Sequence, residues 1–302
     1  MKTLVASLIF TLCAFSLMAQ TPVSLKLNLE KGKTYTIKTT GKQAIKQTVN
    51  GQDYAVEVNS NSVLTYKVIQ QVNEMMDIEF KFDTISIKIS SPMFNKETNS
   101  AKSGSSDPLE IIMNKLSTYK LIAKISTAGK FIGFVNYGHY KDSVMYVLDS
   151  IPATKRDDAK KQADGLLKES ALQSMIEPFF AYLPEKAVIA GDTWESSFFN
   201  TTGELSLLSA NSYALKSIDN KLATISGTTE IEAMPSTDSN AQMTQELKGN
   251  ATFDGTIDLK TGLALKNTST IHCEGTTTVK NNGNEMKMPM KLDGQTVTVM
   301  TK

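Results

Sequence analysis

The sequence predicts an α+β protein that is predominantly antiparallel β, with curved sheets or open half-barrels and a central helical block. Three observations lead to this fold class. Apolar residues recur at every second position near both ends of the chain, and the other positions are rich in Thr, Ser and Asn, as in sheets wetted on one side. In the middle of the chain, apolar residues fall at helical spacing instead. Runs of strands separated by helices are typical of α+β proteins.

The first residues of the chain have the pattern of a secretory signal peptide. A lysine precedes the apolar stretch 4–15, and Ala19 is the small residue at the expected cleavage point. A transmembrane helix needs about 20 apolar residues, and no later segment comes close to that length. We therefore expect residues 1–19 to be removed and the mature chain to be exported, periplasmic or secreted, with no transmembrane segment. Cys13 follows a leucine, where a lipobox needs a small residue, so we expect no lipid anchor.

Residues 20–302 are expected to form one β-rich globular unit. Its strands fall into two groups, 20–135 and 194–302, which a helical middle at 136–193 joins. Two arrangements remain open: two curved antiparallel sheets, or one large open barrel, with the helices packed on the concave side. No Pro/Gly linker divides the chain cleanly.

Local signals place turns and irregularities within the strands. Asn50-Gly51 separates two alternating runs and suits a tight type I′ hairpin turn. In the third run, the apolar positions change parity around Asp83-Thr84, which predicts a β-bulge or strand break. Pro289 cannot donate a ladder hydrogen bond, so we expect its strand to lie at a sheet edge.

The helical block has recognisable starts and stops. Residues 90–107, rich in Ser, Asn, Lys and Gly, are predicted to form a mobile loop. Asp107 and the proline after it predict a helix N-terminus. A second helix is expected around 144–151. A third is expected at about 154–176. It is expected to end there because Pro178 disfavours a helical conformation of the residue before it.

Composition and spacing argue against several kinds of catalytic or metal site. Two histidines, His139 and His272, are too few for the usual zinc ligand sets. His139 is expected in a loop before the second helix, with no nucleophile marked nearby. Strand alternation directs Cys273 inward and His272 to water, so the two cannot form a close dyad. Neither a Gly-x-Ser-x-Gly elbow nor a phosphate-binding glycine loop is present. We therefore predict no catalytic residues, no metal site and no cofactor.

Charge and cysteine content limit the partners of the chain and the ways in which it is stabilised. Lys+Arg 32 nearly balance Asp+Glu 31, unlike the composition of basic nucleic-acid-binding domains, so we expect no nucleic acid partner. After removal of the leader, Cys273 is the only cysteine, and no internal disulfide can form. Stability must then come from burial of apolar surface.

Two groups of residues are candidates for ligand binding. One is the set of aromatic residues that brackets the second strand region, Phe179, Phe180, Tyr182 and Trp194. The other is the alternating series Met286, Met288 and Met290. Either group can line an apolar site. Ordinary core packing is the simpler interpretation of both.

Four short motifs carry a resemblance to a known family. They are LNLEKGKTY at 27–35, LPEKAV at 183–188, GDTW at 191–194 and DLKTG at 258–262. Together they resemble a family of exported bacterial envelope proteins known only as a domain of unknown function. The resemblance covers most of the mature chain and implies structural rather than catalytic roles for the motifs. The strand-rich, curved-sheet architecture is also similar to that of periplasmic lipoprotein carriers, half-barrels that shelter an acyl chain.

Three functional hypotheses follow. The favoured one is a non-enzymatic, exported envelope protein that binds a lipid or other hydrophobic ligand in a groove between sheet and helices. The alternative is a structural or protein-interaction module of the cell envelope with a filled core. The third is a hydrolase whose catalytic Asp and Glu residues are dispersed along the chain. No other sequence feature supports this third hypothesis. An open apolar interior favours the first hypothesis, and a packed interior favours the second.

Overall fold

The computed structural model describes residues 21–49, 51–102, 104–202, 205–234, 243–281 and 284–301. The predicted signal peptide lies outside these ranges. None of the helices within them combines the length and apolarity that crossing a membrane requires.

Strands dominate the described chain. The strands β1–β12 span Thr34–Val49, Gln52–Val72, Met75–Ser90, Asn95–Asn99, Leu121–Ser126, Phe131–Phe134, Thr193–Thr202, Leu205–Asp219, Leu222–Ala233, Met243–Asp258, Ala264–Asn281 and Asn284–Thr301. The helices α1–α4 span Pro108–Thr118, Tyr137–Met145, Ala153–Leu166 and Glu169–Ile176. Short 3₁₀ turns follow α2 at Tyr146–Ser150 and α4 at Glu177–Phe179.

All twelve strands belong to one antiparallel sheet. Their order is β6-β5-β3-β2-β1-β12-β11-β10-β9-β8-β7, and β4 pairs with β3 beside this path. The first and last strands lie side by side, in register from Thr36↔Thr301 to Gln47↔Met290. The sheet is open and curled, with β6 and β7 at its edges. The predicted fold class is confirmed. The strands form one open sheet rather than two separate sheets.

The hairpin expected at Asn50-Gly51 is present. Strands β1 and β2 pair without a slip as far as Val49↔Gln52, so two residues connect them. Gly51 has a φ of 78°, the left-handed conformation that a type I′ turn requires. Asn50 itself lies outside the described residues.

The predicted β-bulge in the third strand is also confirmed. Asp83 is the extra residue of β3, between the pairs Leu64↔Phe82 and Val63↔Thr84. Its carboxylate accepts hydrogen bonds from a lysine and a threonine. Because the bulge resets the alternation, the apolar residues on both sides of it point to the same face of the sheet.

The helical block packs on the face of the sheet that carries the apolar core, which we call the concave face. Helix α1 begins at the expected cap, where the Asp107 carboxylate accepts the backbone N–H groups of Leu109 at 2.9 Å and Glu110 at 3.4 Å. Its buried residues Ile112 and Leu116 belong to the same continuous apolar core as the sheet residues. The helices therefore stabilise the fold through this shared core.

Aromatic rings form the centre of the core. Phe180, which follows the last 3₁₀ turn, meets Tyr66 of β2 edge-on, with ring centroids 5.7 Å apart. It also meets Phe80 of β3 at 6.1 Å. Tyr66 in turn stacks on Tyr35 of β1 at 5.4 Å. Since large buried rings contribute strongly to core energetics, this cluster anchors the end of the helical block to three adjacent strands.

The prediction that Pro289 marks an edge strand is wrong. Strand β12, which carries it, lies in the middle of the sheet between β1 and β11. The register with β1 ends at the pair Gln47↔Met290, one residue before Pro289 is reached. Proline lacks a backbone N–H, and at Pro289 this removes no hydrogen bond to β1, because the pairing with β1 has already ended. A central strand can therefore contain this proline.

The segment 90–107 is not simply a mobile loop. It contains β4, and the buried Ser100 beyond that strand accepts the backbone N–H of Ile85 at 2.9 Å through its hydroxyl. This bond and the β3–β4 pairing tie the segment to the sheet.

Two helix boundaries also differ from the prediction. The helix expected at 154–176 is divided into α3 and α4, because the backbone of Lys168 between them is not helical, with φ −55° and ψ 138°. This break lets Leu167 and Leu172 both reach the core. The helix expected around 144–151 begins earlier, at Tyr137, so His139 lies in the first turn of α2 rather than in a loop.

We predict that Gly262→Ala destabilises the protein more than Gly51→Ala. Both glycines have a positive φ, 72° and 78°, so each alanine introduces backbone strain of roughly 1 kcal/mol. At Gly262 the added Cβ would also lie 2.1 Å from the Lys26 carbonyl oxygen, whereas at Gly51 nothing lies within 4 Å. Urea denaturation should show that Gly262→Ala lowers the free energy of unfolding by roughly 2 kcal/mol more than Gly51→Ala does. Equal losses in the two variants would contradict this packing.

Candidate functional site

The concave face of the sheet is the side on which the core residues lie. It can be followed from strand to strand, because directly paired residues point to the same face. From buried Tyr66 the register leads to Tyr35 on β1, and beyond it Ile37 pairs with Met300 on β12. Along the strands, this face is divided into three zones.

The first zone lies under the helices and consists of aliphatic and aromatic residues. We call it the covered zone; it includes Tyr35, Ile37, Leu64, Tyr66, Leu215, Ile225 and Ile257. These residues share one core with α1–α4. The covered zone is the filled interior that ordinary packing predicts.

The second zone is polar. We call it the polar band; it consists of hydroxyl and amide side chains from five strands: Thr39, Gln43, Ser209, Asn211, Thr229, Asn267, Ser269, Thr296 and Thr298. Some of these groups bond to one another. The Thr229 hydroxyl donates to Asn211 Oδ1 at 2.7 Å, and the hydroxyls of Thr39 and Thr298 lie 3.3 Å apart.

The third zone, towards the ends of the long hairpins, is apolar again. We call it the apolar strip; it consists of Ile45, Val56, Val58, Ile87, Ile89, Leu207, Ile231, Leu247, Ile271, Cys273, Met288, Met290 and Leu292. Part of it forms a small second cluster made of strand residues. Others, such as Ile45, Val58 and Ile87, are only half-buried. Their chain neighbours on the convex face are polar or charged, for example Lys46 and Lys88.

A groove runs between the polar band and the helical block. Its volume is about 350 Å³. The sheet forms its floor, and Ser174 and Met175 of α4, with Pro178 and Phe179 of the following turn, form its wall. Ile271, at the border of the apolar strip, also lines it, so the groove opens from the band into the strip.

Hydrogen bonds to the edge strand β7 hold this wall in place. The Ser174 hydroxyl lies 2.7 Å from the Ser170 carbonyl oxygen and 3.0 Å from that of Phe199. Further along β7, the Ser196 hydroxyl donates to the Ala181 carbonyl at 2.9 Å. The groove therefore has a floor and a wall that are fixed relative to each other.

The structure separates the four aromatic candidates. Phe179 lines the groove, whereas Phe180 and Tyr182 are buried in the core. The Tyr182 hydroxyl accepts the backbone N–H of Ala264 at 2.8 Å. The half-buried Trp194 donates its indole N–H to the Tyr182 carbonyl at 3.0 Å. One aromatic candidate thus contacts the groove, and the other three support its wall and floor.

The methionine candidates lie on the concave face of β12. Met288 is buried and Met290 half-buried within the apolar strip, whereas Met286 near the hairpin end is 40% exposed. The series therefore runs from the apolar strip towards solvent.

Sequence reasoning missed the polar band. It assigned Thr, Ser and Asn to the exposed parity, but eight such side chains of the band, together with one glutamine, face inward. The signal was in the alternation itself, since Thr39 and Gln43 share the parity of Ile37 and Ile45. Reading the polar residues at inward positions would have found the band.

His272 and Cys273 point to opposite faces of β11, as alternation predicted. Cys273 is buried in the apolar strip, and burial raises the pKa of its thiol. His272 is on the convex face, with Nδ1 2.6 Å from Asp293 Oδ1 and Nε2 3.5 Å from Glu274 Oε1. Among the described residues, no group of three His, Cys, Asp or Glu side chains is placed to hold a metal ion.

We predict that Asp293→Asn lowers the pKa of His272. In the wild type the hydrogen bond to Asp293 raises this pKa above the ordinary value of 6.5, against a smaller opposing effect of desolvation. Because the folded-state pKa is the higher one, the pair stabilises the fold at acidic pH, and this contribution is lost as the pH rises through the folded pKa. Imidazole NMR titration should show a lower midpoint in the variant. An unchanged midpoint would contradict the assignment.

Two solved structures show a remote likeness to this chain. A structure concerned with lipid–protein interactions in lipovitellin is 9% identical, with a TM-score of 0.49, and the match covers 91% of this chain and 26% of that chain. An outer membrane channel from Pseudomonas putida F1 is 8% identical, with a TM-score of 0.25, and the match covers 90% of this chain and 96% of that chain. At these TM-scores neither likeness carries an argument about function. No curated protein matches the chain.

A sequence model of one protein family matches residues 73–264, which is more than half of the 302 residues. The matched region begins at the turn before β3 and ends where β11 begins, so it includes the helical block and the groove wall. The family is described as one of unknown function. The resemblance to such a family, inferred from the four motifs, is confirmed. The chain belongs to DUF6263, a family of unknown function.

Proposed function

We propose that this protein is an exported, non-enzymatic binding protein that holds a lipid or other hydrophobic molecule on the concave face of its sheet. The binding site is the groove beside α4 together with the adjoining apolar strip. The apolar part of the ligand packs on the half-buried aliphatic and methionine side chains of the strip.

The apolar strip is the observation that carries this proposal. Its residues alternate with polar residues of the convex face, yet many of them remain half-buried rather than buried. Soluble proteins rarely leave contiguous apolar surface open to water unless something binds there. A ligand that covers roughly 200 Å² of this surface gains about 5 kcal/mol before the cost of its own immobilisation.

The shape and flexibility of the site also support binding. A volume of about 350 Å³ lies within the range of small-molecule pockets, which is about 300–1,000 Å³. Met175 lines the groove wall, and Met288 and Met290 place further unbranched thioether side chains on the adjoining apolar strip. Such side chains adapt to ligands of varied shape.

Export and the lack of catalysis are parts of the same proposal. The leader pattern at residues 1–19 supports export. The polar side chains of the groove are hydroxyls and amides, which orient a ligand through hydrogen bonds. His272 and Cys273, the adjacent pair with the most reactive side chains, point to opposite faces of β11.

One feature favours the second candidate, an interaction module with a filled core. The turn between β3 and β4 presents Met93 and Phe94 to solvent, 78% and 52% exposed. The Ser91 hydroxyl holds this turn by accepting the Phe94 N–H at 3.1 Å. A protein partner that covers this tip would bury both side chains.

We predict that Ile271→Gln weakens binding of an uncharged fluorescent apolar probe such as N-phenylnaphthylamine, whereas Thr270→Gln does not. The two residues are neighbours on β11, but Ile271 lines the groove and Thr270 is exposed on the convex face. Loss of the apolar contact should raise the Kd about tenfold, which corresponds to roughly 1.4 kcal/mol. Fluorescence titration measures the Kd, and thermal unfolding shows whether both variants fold.

Native mass spectrometry of wild-type protein purified without detergent complements this titration. A co-purified apolar molecule is the expected result. A wild-type protein that carries no ligand and also ignores the probe would contradict the proposed function and favour the second candidate.

A further inference from the structure

The polar band narrows the chemistry of the ligand, an inference that rests on the function proposed above. Polar side chains that line the groove, such as Gln43, Asn211, Asn267 and Ser269, are primary amides and hydroxyls. These groups donate and accept hydrogen bonds without carrying a formal charge. The groove is thus polar and neutral where it meets the sheet.

The charged residues next to the band in sequence point elsewhere. Lys266 precedes Asn267 and Glu230 follows Thr229, and alternation places both charged side chains on the exposed convex face. Glu177, beside the groove wall, lines a separate cavity. The neutrality therefore belongs to the concave surface, in a chain that carries 63 charged side chains, Lys+Arg 32 and Asp+Glu 31.

The tyrosine that borders the groove is also neutral. The Tyr213 ring lines the groove, and burial raises the pKa of its phenol to about 12, against the opposing effect of a hydrogen bond with Ser196. At physiological pH this phenol is therefore uncharged.

Part of the band is already oriented for hydrogen bonding. Asn211 is buried, its Oδ1 accepts from the Thr229 hydroxyl at 2.7 Å, and its Nδ2 lies 3.3 Å from the Ser196 carbonyl oxygen. These contacts fix the amide before any ligand binds. Such preorganisation lowers the entropic cost of binding a polar group.

The polar band favours binding of a neutral head group over binding of an ionised one. A carboxylate or ammonium that enters the groove loses hydration without gaining a charged partner, which is unfavourable. A hydroxyl, ester or amide exchanges its bonds with water for bonds to the band. We propose that the ligand is an uncharged amphiphile, with an aliphatic chain on the apolar strip and a hydroxyl, ester or amide group on the polar band.

The experiment compares three amphiphiles of equal chain length: a monoacylglycerol, a fatty-acid anion and an alkyltrimethylammonium ion. Each displaces the uncharged fluorescent probe from the wild-type protein at pH 8, below its micellar concentration. The monoacylglycerol should bind at least about tenfold more tightly than either ion. Equal or tighter binding of either ion overturns the ligand class, while the probe still reports the apolar site.

A matched pair of variants tests where the polar group sits. Ser269 lines the groove and Thr270 faces the convex side, so Ser269→Lys adds a cation to the band and Thr270→Lys adds one outside it. Ser269→Lys should raise the affinity for the fatty-acid anion, relative to the monoacylglycerol, by about tenfold. Thr270→Lys should leave the affinity for the fatty-acid anion, relative to the monoacylglycerol, as it is in the wild type.

Two other outcomes are decisive. An unchanged ratio in a folded Ser269→Lys protein overturns the placement of the polar group on the band. Failure of the probe and of all three amphiphiles to bind the wild type overturns the proposed function itself, and the ligand class with it.

Discussion

The pairing of β1 with β12 is the constraint on which the rest of the structure depends. It joins the first long strand to the last along the register Thr36↔Thr301 to Gln47↔Met290 and so makes one sheet of two groups of strands. Closing so long a loop costs conformational entropy, which is offset only when the shared core has formed. Because these two strands lie in the middle of the sheet, the concave face continues without a break from β3 to β8.

The zoning of that face follows from the different lengths of strands and helices. At about 3.3 Å per residue, the 18 residues of β11 span roughly 60 Å. At about 1.5 Å per residue, the 14 residues of α3 span roughly 21 Å. A helical block of this size covers only one end of the strands. The polar band then lies at the border of the covered core, and the apolar strip extends beyond it. A filled core and an open apolar strip therefore coexist in one sheet.

Much of the architecture could be predicted from alternation, but its long-range pairing could not. The parity change at Asp83 located the bulge, because a bulge is recorded in the local sequence. The position of the strand that carries Pro289 depends on β1, more than two hundred residues away, and no local signal records such a partner. The aromatic candidates show the same limit on a smaller scale. Phe179 and Phe180 are adjacent, yet only the geometry of the 3₁₀ turn decides that one lines the groove and the other enters the core.

The proposed site of ligand binding is the concave face of the sheet rather than an exposed tip or edge. Methionine methyl NMR tests it directly, because Met175 lines the groove, Met290 lies on the apolar strip, and Met93 is 78% exposed at the β3–β4 tip. Titration with a monoacylglycerol should shift the methyl signals of Met175 and Met290 and leave that of Met93 in place. Shifts confined to Met93, or equal shifts at all three methyl groups, would contradict the account.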